Sequence, residues 1–235
     1  MTAENLAAVA AAMAEPTRAH MLVALMDGRA WTARELADHA GVAASTATEH
    51  LNRLVNLGLL AEHRQGRHRY VRLASSEVAS TLEAVAALGR RPAAPVRSWR
   101  QATTRAGLAR ARTCYDHFAG ALGVAVTDAL IERGVLDDGA LDLTDRGRSW
   151  LEDELDAPYV PGRRSSTRAC LDWTERRVHL GGGVGAHLAD VFFTREWARR
   201  SKTSRAVIVT PGGREALLRL LAIDPDALGG EGGSR

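Results

Sequence analysis

An internal repeat constrains this chain more than any other feature. Residues 117–130, HFAGALGVAVTDAL, align without a gap to residues 179–192, HLGGGVGAHLADVF, 62 positions later. The shared pattern begins with His, carries two matched glycines, and ends on an apolar residue, any residue, Asp, any residue and an apolar residue. Further on, residues 140–151, ALDLTDRGRSWL, match residues 206–217, AVIVTPGGREAL, with four extra residues in the intervening loop. The pattern predicts that each copy is a long helix, a loop, a short strand ending in Thr144 or Thr210, and a second helix capped by that threonine. Pro211 suits a first helical position. Two copies of a unit that cannot bury its own face pack most simply against each other about a pseudo-twofold axis. Gly120 and Gly123 in one helix, with Gly182 and Gly185 in the other, would remove side chains where two backbones cross closely. A glycine inside a helix costs ~1 kcal/mol relative to alanine, so four at matched positions point to a packing or ligand reason.

The repeat also places its chemistry. Cys114 and His117 are three apart, which predicts one helix face, while Cys170, Asp172, Trp173, Glu175 and His179 precede or open the partner helix. Paired copies would bring the matched His117 and His179 together near the axis. Two cysteines and two histidines suit Zn(II) or another soft or borderline metal, although the spacing is not that of a zinc finger. A buried cysteine is commonly just a small hydrophobe. Cys114, His117, Cys170, Trp173 and His179 are thus candidate effector-binding residues, for a metal ion, a thiol switch or a small organic effector in a Trp173-lined pocket; purely structural roles stay open beside these. Two cysteines in 235 residues cannot build a disulfide framework. The string Gly181 to Ala186 fits the dinucleotide pattern G-x-G-x-x-A. No strand pattern precedes it, however, and the first copy lacks two of its glycines.

The N-terminal ninety residues have a different grammar. Residues 4–14 place Leu6, Val9, Ala10 and Met13 at helical spacing, and Pro16 restarts a helix bearing Met21, Leu22 and Leu25. In WTARELADHAGVAASTATEHLNRLVNLGLL, Thr32 with Glu35 makes a capping box for a short helix that Gly41 ends. A second helix is predicted from Ser45 or Thr46, with Thr46 and Glu49 as another capping box, until Gly58 stops it. The short turn at Gly41-Val42 holds the two helices at a steep angle and exposes the start of the second, as major-groove readers require. Residues 59–73 then read as a hairpin turning at Gln65-Gly66. Its tip carries Arg64, Arg67, His68 and Arg69, placed to reach phosphates or a minor groove. A further helix follows from Ser75 or Ser76 through Leu88.

In helix order and in the string ASTATEHLNRLVNLGLLAEHRQGRHRYVRLA, residues 1–90 resemble the winged helix-turn-helix regulators of the ArsR/SmtB family. Strings such as RTCYDHFAGALGV and CLDWTERRVHLGGGVGAHL are similar to those of ArsR-like regulators with an extra C-terminal domain. The resemblance implies a homodimer that sets two recognition helices in successive major grooves of a double-stranded, pseudo-palindromic DNA operator. It places Ser45, Thr46, Thr48, Glu49, His50 and Arg53 on the groove-facing side, with a buried structural role for His50 left open. It also implies two metal sites that this sequence does not supply. Arg34 to His39 contains no cysteine, and Ser75 to Leu88 contains no histidine.

Charge sharpens the domain reading. Residues 1–90 balance nine arginines against nine acids, whereas residues 91–112 carry six arginines and no acid, interrupted by Pro92 and Pro95. We read 1–90 as the DNA-binding domain, 91–112 as a basic linker, 113–222 as a duplicated ligand-sensing domain and 223–235 as a flexible tail. Thirty of the 31 basic residues are arginine, the side chain best suited to phosphates and base edges. No apolar run approaches the ~18 residues of a membrane span, and no signal peptide is legible, so a cytoplasmic location without membrane contact is expected. No Ser-His-Asp series, phosphate loop or paired-carboxylate site stands out, and the chain is not expected to be an enzyme. The expectation is a mostly α, α+β protein that regulates transcription, as a repressor released by an effector in its C-terminal domain. The alternative is an enzyme or metal-handling protein that uses residues 113–222, with the winged helix as an interaction module.

Overall fold

A computed structural model describes residues 2–66, 68–88, 99–201 and 204–228. Arg67, the junction 89–98 with both its prolines, and residues 229–235 of the expected tail lie outside the described residues. The chain is mixed α+β, about half helical, and divides into two compact units, residues 1–82 and 83–235.

The first unit begins with helices α1 (Ala3–Ala14) and α2 (Pro16–Leu25). Glu15 caps α2, its carboxylate accepting from the Thr17 and Arg18 amides at 2.9 and 2.8 Å. Arg18, almost fully buried, donates to the carbonyls of Ala11 and Ala12 at the end of α1. Strand β1 (Trp31–Thr32) leads into α3 (Ala33–Ala40), where the expected Thr32–Glu35 capping box forms in full. Gly41 ends α3 in the left-handed region, φ 68°, as a helix-terminating glycine does. Helix α4 (Ala44–Asn56) starts earlier than the capping-box expectation. Ala43 stands extended at the cap with no side-chain hydrogen bond, and Thr46 already lies in the first turn, because the chain re-enters helical geometry directly after the Val42 amide bonds the Ala37 carbonyl. Strands β2 (Leu60–Gln65) and β3 (His68–Leu73) pair antiparallel, and β1 adds to β3, giving the order β1-β3-β2. Met21, Leu25, Leu36, Leu51, Leu54, Val71 and Leu73 close the core without exposed surface. Helix α5 (Ser76–Leu88) follows, and the division between the units falls within it.

In the second unit, Trp99–Arg110 of the expected basic linker is helix α6. Beyond the prolines this stretch has three Ala and three Arg with one Gln and one Leu, all good helix formers. Next come strands β4 (Arg112–Cys114) and β5 (His117–Ala119), and helix α7 (Ala121–Glu132). Helix α8 (Asp145–Ser149) runs on into a π-helical turn, Trp150–Glu154. Strands β6 (Arg168–Leu171) and β7 (Val178–Gly181) precede α9 (Gly182–Thr194), and strands β8 (Ala198–Arg200) and β9 (Val207–Val209) precede α10 (Pro211–Leu221). Thr144 and Thr210 each cap the next helix by accepting from the amide of Gly147 or Gly213.

The expected helix-strand-helix pattern is corrected in two places: before Thr144 there is only an isolated bridge between Leu143 and Leu136, whereas β9 does precede Thr210, and the start of each half differs. His117 and His179 lie on strands, and each long helix is preceded by a β-hairpin, β4–β5 or β6–β7. Helix α7 packs on β5 and on β7 of the other hairpin, while α9 packs on β7 and on β5. The glycines serve these hairpins rather than a crossing of helix backbones. A Cβ added at Gly123 or Gly185 would stand 2.5 Å from the Phe118 carbonyl oxygen or 2.4 Å from that of Leu180, each on the strand just before its own helix. Phe118, Leu122, Leu130, Val184, Leu188, Phe192 and Leu217 centre the core. Ile223, expected at the start of the tail, is buried in the same core.

Candidate nucleic-acid interface and a buried cysteine–histidine cluster

Helix α4 has two sharply different faces. Ala47, Leu51 and Leu54 are fully buried, whereas Ser45, Thr48, Glu49, Asn52 and Arg53 are exposed, one polar stripe at i, i+3, i+4, i+7 and i+8 spacing. Thr46 is half-buried, and Thr48 uses its hydroxyl on the Ala44 carbonyl within the helix. His50 turns inward: its Nδ1 accepts from Arg18 at 3.1 Å and stands 3.7 Å from Glu15, so it ties α4 to the start of α2. On the hairpin, Arg64 and His68 are exposed. Arg69 is engaged within the unit, donating to Glu62 at 2.6 Å and to Asn52 on α4 at 2.7 Å, and so fixes the hairpin against the helix. Nothing in the sequence pattern signalled that tie.

The second site lies in the other unit, where Cys114, His117, Cys170 and His179 converge. Cys114 pairs with His117 across the turn of one hairpin, and Cys170 pairs with His179 across the other. The spacing of three that suggested a helix face is the closure of a two-residue turn, in which Tyr115 adopts φ 61°. All four side chains are buried, and one ligand atom from each lies within 4.8 Å of the others. The sulfurs are 3.7 Å apart and both cysteines are free. The imidazole rings stand 5.2 Å apart, centre to centre.

Charged groups flank the cluster. Asp116 Oδ1 meets His117 Nδ1 at 3.1 Å, and Arg164 holds the other oxygen of Asp116 at 2.6 Å. Asp172, which the sequence grouped with the cluster only by proximity, accepts from Arg112 at 2.9 Å, from the Gly120 amide, and from the Thr174 hydroxyl and amide. Its Oδ2 lies 3.6 Å from His179 Nδ1. Burial disfavours a charged imidazole at His117, yet Asp116 and the Cys170 sulfur beside it push its pKa up to about 9. The contact with Cys114 pulls the Cys170 thiol down against the cost of burial, with both histidines assisting. Cys114 moves the opposite way, pushed up by that contact, by burial and by the Glu83 carboxylate. Glu83 itself is buried in an ion pair with Arg205 at 3.0 Å.

Trp173 does not join the cluster. It is 38% exposed, with the Arg112 guanidinium 4.9 Å over its ring. A cavity of about 230 Å³ in this unit is lined by Ala111, Leu122, Val207, Val209 and Arg214 among others, and Trp173 is not one of its walls.

A family model described as a helix-turn-helix domain matches residues 13–63. Over 224 residues, 93% of this chain and 98% of the relative, the sequence is 35% identical to the uncharacterized HTH-type transcriptional regulator YdfF of Bacillus subtilis. The chain belongs to the ArsR family of winged-helix transcriptional regulators. This ArsR-family regulator is also 38% identical over 82 residues to the HTH-type transcriptional regulator CmtR of Mycobacterium tuberculosis, covering 35% of this chain and 69% of that one. Among solved structures, the homodimeric winged helix-turn-helix DNA-binding domain of Mb0332 from Mycobacterium bovis is 28% identical, with a TM-score of 0.34, over 36% of this chain and 78% of that one. The CmtR match is confined to a third of this chain, whereas the YdfF match runs through the second unit. The second unit is therefore a shared part of this ArsR-family regulator and YdfF. No helix among the described residues is long and apolar enough to cross a membrane.

Proposed function

We propose that this ArsR-family regulator is a homodimeric repressor that binds a pseudo-palindromic operator and is released when an effector occupies its second unit. The observation that carries the DNA-binding part is the polar stripe on α4, where Ser45, Thr48, Glu49 and Arg53 stand exposed opposite a closed apolar face. Short polar side chains beside a longer arginine can hydrogen-bond base edges while the arginine reaches a guanine or a phosphate. Arg64 and His68, exposed on the hairpin, supply sequence-independent phosphate affinity. Val85 and Leu88 of α5 stay exposed, 50% and 81%, which supports burial against a second copy.

The second unit is read as a duplication. The matched positions fall on matched geometry: Gly120 and Gly182 at φ 76° and 79°, Gly123 and Gly185 against their strands, and His117 and His179 on the inner strands. A duplicated unit with a buried cysteine–histidine cluster at the junction of the copies gives an effector a place where binding alters how the copies pair.

A footprint of the full chain on the DNA upstream of its own gene tests the reading. Two protected half-sites about one helical turn apart (~10 bp) are expected, together with reduced run-off transcription from that template. An unprotected region, or increased transcription, contradicts it.

A further inference from the structure

We propose that Cys114, His117, Cys170 and His179 form a closed four-ligand site for a borderline divalent d-block ion of the Zn(II) type, which clamps hairpin β4–β5 to hairpin β6–β7. Each hairpin contributes one sulfur and one imidazole, so the ion joins residues 56 positions apart in the chain.

Three observations support the ligand set. The Sγ–Sγ separation of 3.7 Å is far longer than a disulfide bond. It matches the edge of a tetrahedron built on ~2.3 Å metal–sulfur bonds, about 3.8 Å. Next, His117 Nε2 and both ring nitrogens of His179 are buried without a hydrogen-bond partner. Buried polar atoms are ordinarily satisfied, and coordination accounts for the two Nε2 atoms beside the two free thiols, while His179 Nδ1 faces Asp172. Finally, each imidazole has a carboxylate on its Nδ1 side, Asp116 at 3.1 Å and Asp172 at 3.6 Å, which leaves Nε2 toward the sulfurs. A carboxylate behind a histidine is the outer support that metal-bound imidazoles generally have. The glycines make the room: a Cβ at Gly181 would stand 3.2 Å from the His117 ring, and one at Gly185 would stand 3.3 Å from His117 Cβ.

Sulfur and imidazole donors select Zn(II), Co(II) or Cd(II) over Mg(II) or Ca(II). Four protein ligands, all buried, leave no position for substrate or water, so the ion fixes structure rather than performing catalysis. The protons that the ligands still hold leave to solvent as the ion enters. The ion's role as effector rests on the repressor reading above; its binding does not.

The test uses the full chain, reduced, without DNA. Metal analysis after Zn(II) loading and desalting should give one ion per chain. Co(II) should give the intense visible absorption of a tetrahedral site with sulfur-to-cobalt charge transfer, and Zn(II) should protect both thiols from a thiol reagent at least tenfold. Cys170→Ser and His179→Gln should lose the cobalt spectrum. Fewer than about 0.1 ion per chain with unprotected thiols overturns the site, as does a Cys114–Cys170 disulfide in place of metal in the freshly isolated chain. Should a variant not fold, thiol protection in the unaltered chain still decides. Addition of Zn(II) to the operator complex is a separate arm. A loaded site that leaves operator affinity unchanged overturns the effector role and leaves the site standing.

Discussion

Arg112 and Asp172 form an ion pair at 2.9 Å in which neither side chain has any exposed surface. The pair joins the first strand of one hairpin to the loop of the other, and Asp172 also anchors the Gly120 amide at the start of α7. Burial opposes its ionisation, but the Arg112 charge and these donors hold its carboxyl well below the usual range. Removing one partner strands the other charge. Asp172→Ala is expected to lower the stability of the second unit by about 3–5 kcal/mol in urea unfolding, and Arg112→Met with Asp172→Leu should recover part of that loss. A single-variant loss below about 1 kcal/mol contradicts this account.

The close approach of Gly185 to its hairpin gives a prediction whose sign opposes helix propensity. Propensity alone would let Gly185→Ala gain up to ~1 kcal/mol. The added Cβ would instead meet the Leu180 carbonyl oxygen at 2.4 Å. A loss of about 1–3 kcal/mol is expected. Gly212→Ala is the control, since its nearest neighbour is Trp197 at 3.8 Å on an exposed helix start, and it should be neutral or stabilising. Unfolding midpoints that move in the same direction for both variants refute the steric argument.

Glu15 carries a pH dependence in the first unit. Burial resists its charge, but the Thr17 and Arg18 amides lower its pKa from 4.5 to about 2. A carboxyl with a depressed folded pKa stabilises fully above its unfolded value near 4.5, and that contribution disappears as pH falls toward 2. Glu15→Ala should therefore cost ~1 kcal/mol at pH 6, read as an approximately fivefold loss of hydrogen-exchange protection at Thr17 and Arg18. The two proteins should converge as pH approaches 2. A difference that is constant across this range contradicts the cap.

The hairpin arginines should behave differently from each other. Arg64 is exposed, whereas Arg69 is held by Glu62 and Asn52. Arg64→Ala is expected to weaken binding on all duplexes alike and to reduce the salt slope by about 1. Arg69→Ala releases the hairpin from α4 and should change the preference among sequences as well. Identical salt slopes for the Arg64 variant and the parent would remove Arg64 from the phosphate contacts.

The first unit was legible because its signals are local. Thr32 with Glu35, and the glycines at 41 and 58, fix helix ends within one turn of themselves. The hairpins of the second unit were hidden for two physical reasons. Strands of three and four residues are too short to show alternation, and the Cys114–His117 spacing of a tight turn equals that of a helix face. The local clues were Asp172 with Thr174, which build the β6–β7 loop by side-chain-to-backbone bonds. The meeting of His117 with His179 was readable only through the matched strings 117–130 and 179–192, which relate residues far apart in the chain. A buried role for His50 stood open beside a groove-facing one, and its Arg18 and Glu15 partners decide between them; the Arg69 tie depends on tertiary partners and left no trace in the pattern.

The polar stripe of α4 is proposed to bind DNA sequence-selectively. That binding is tested most directly by fluorescence anisotropy of the full chain on its own upstream duplex and on a scrambled duplex of equal length, across several salt concentrations. At least ~10³-fold tighter binding to the upstream duplex is expected at physiological salt, with both affinities falling as salt rises. The ratio is expected to collapse in Arg53→Ala. Equal affinities for the two duplexes would contradict it.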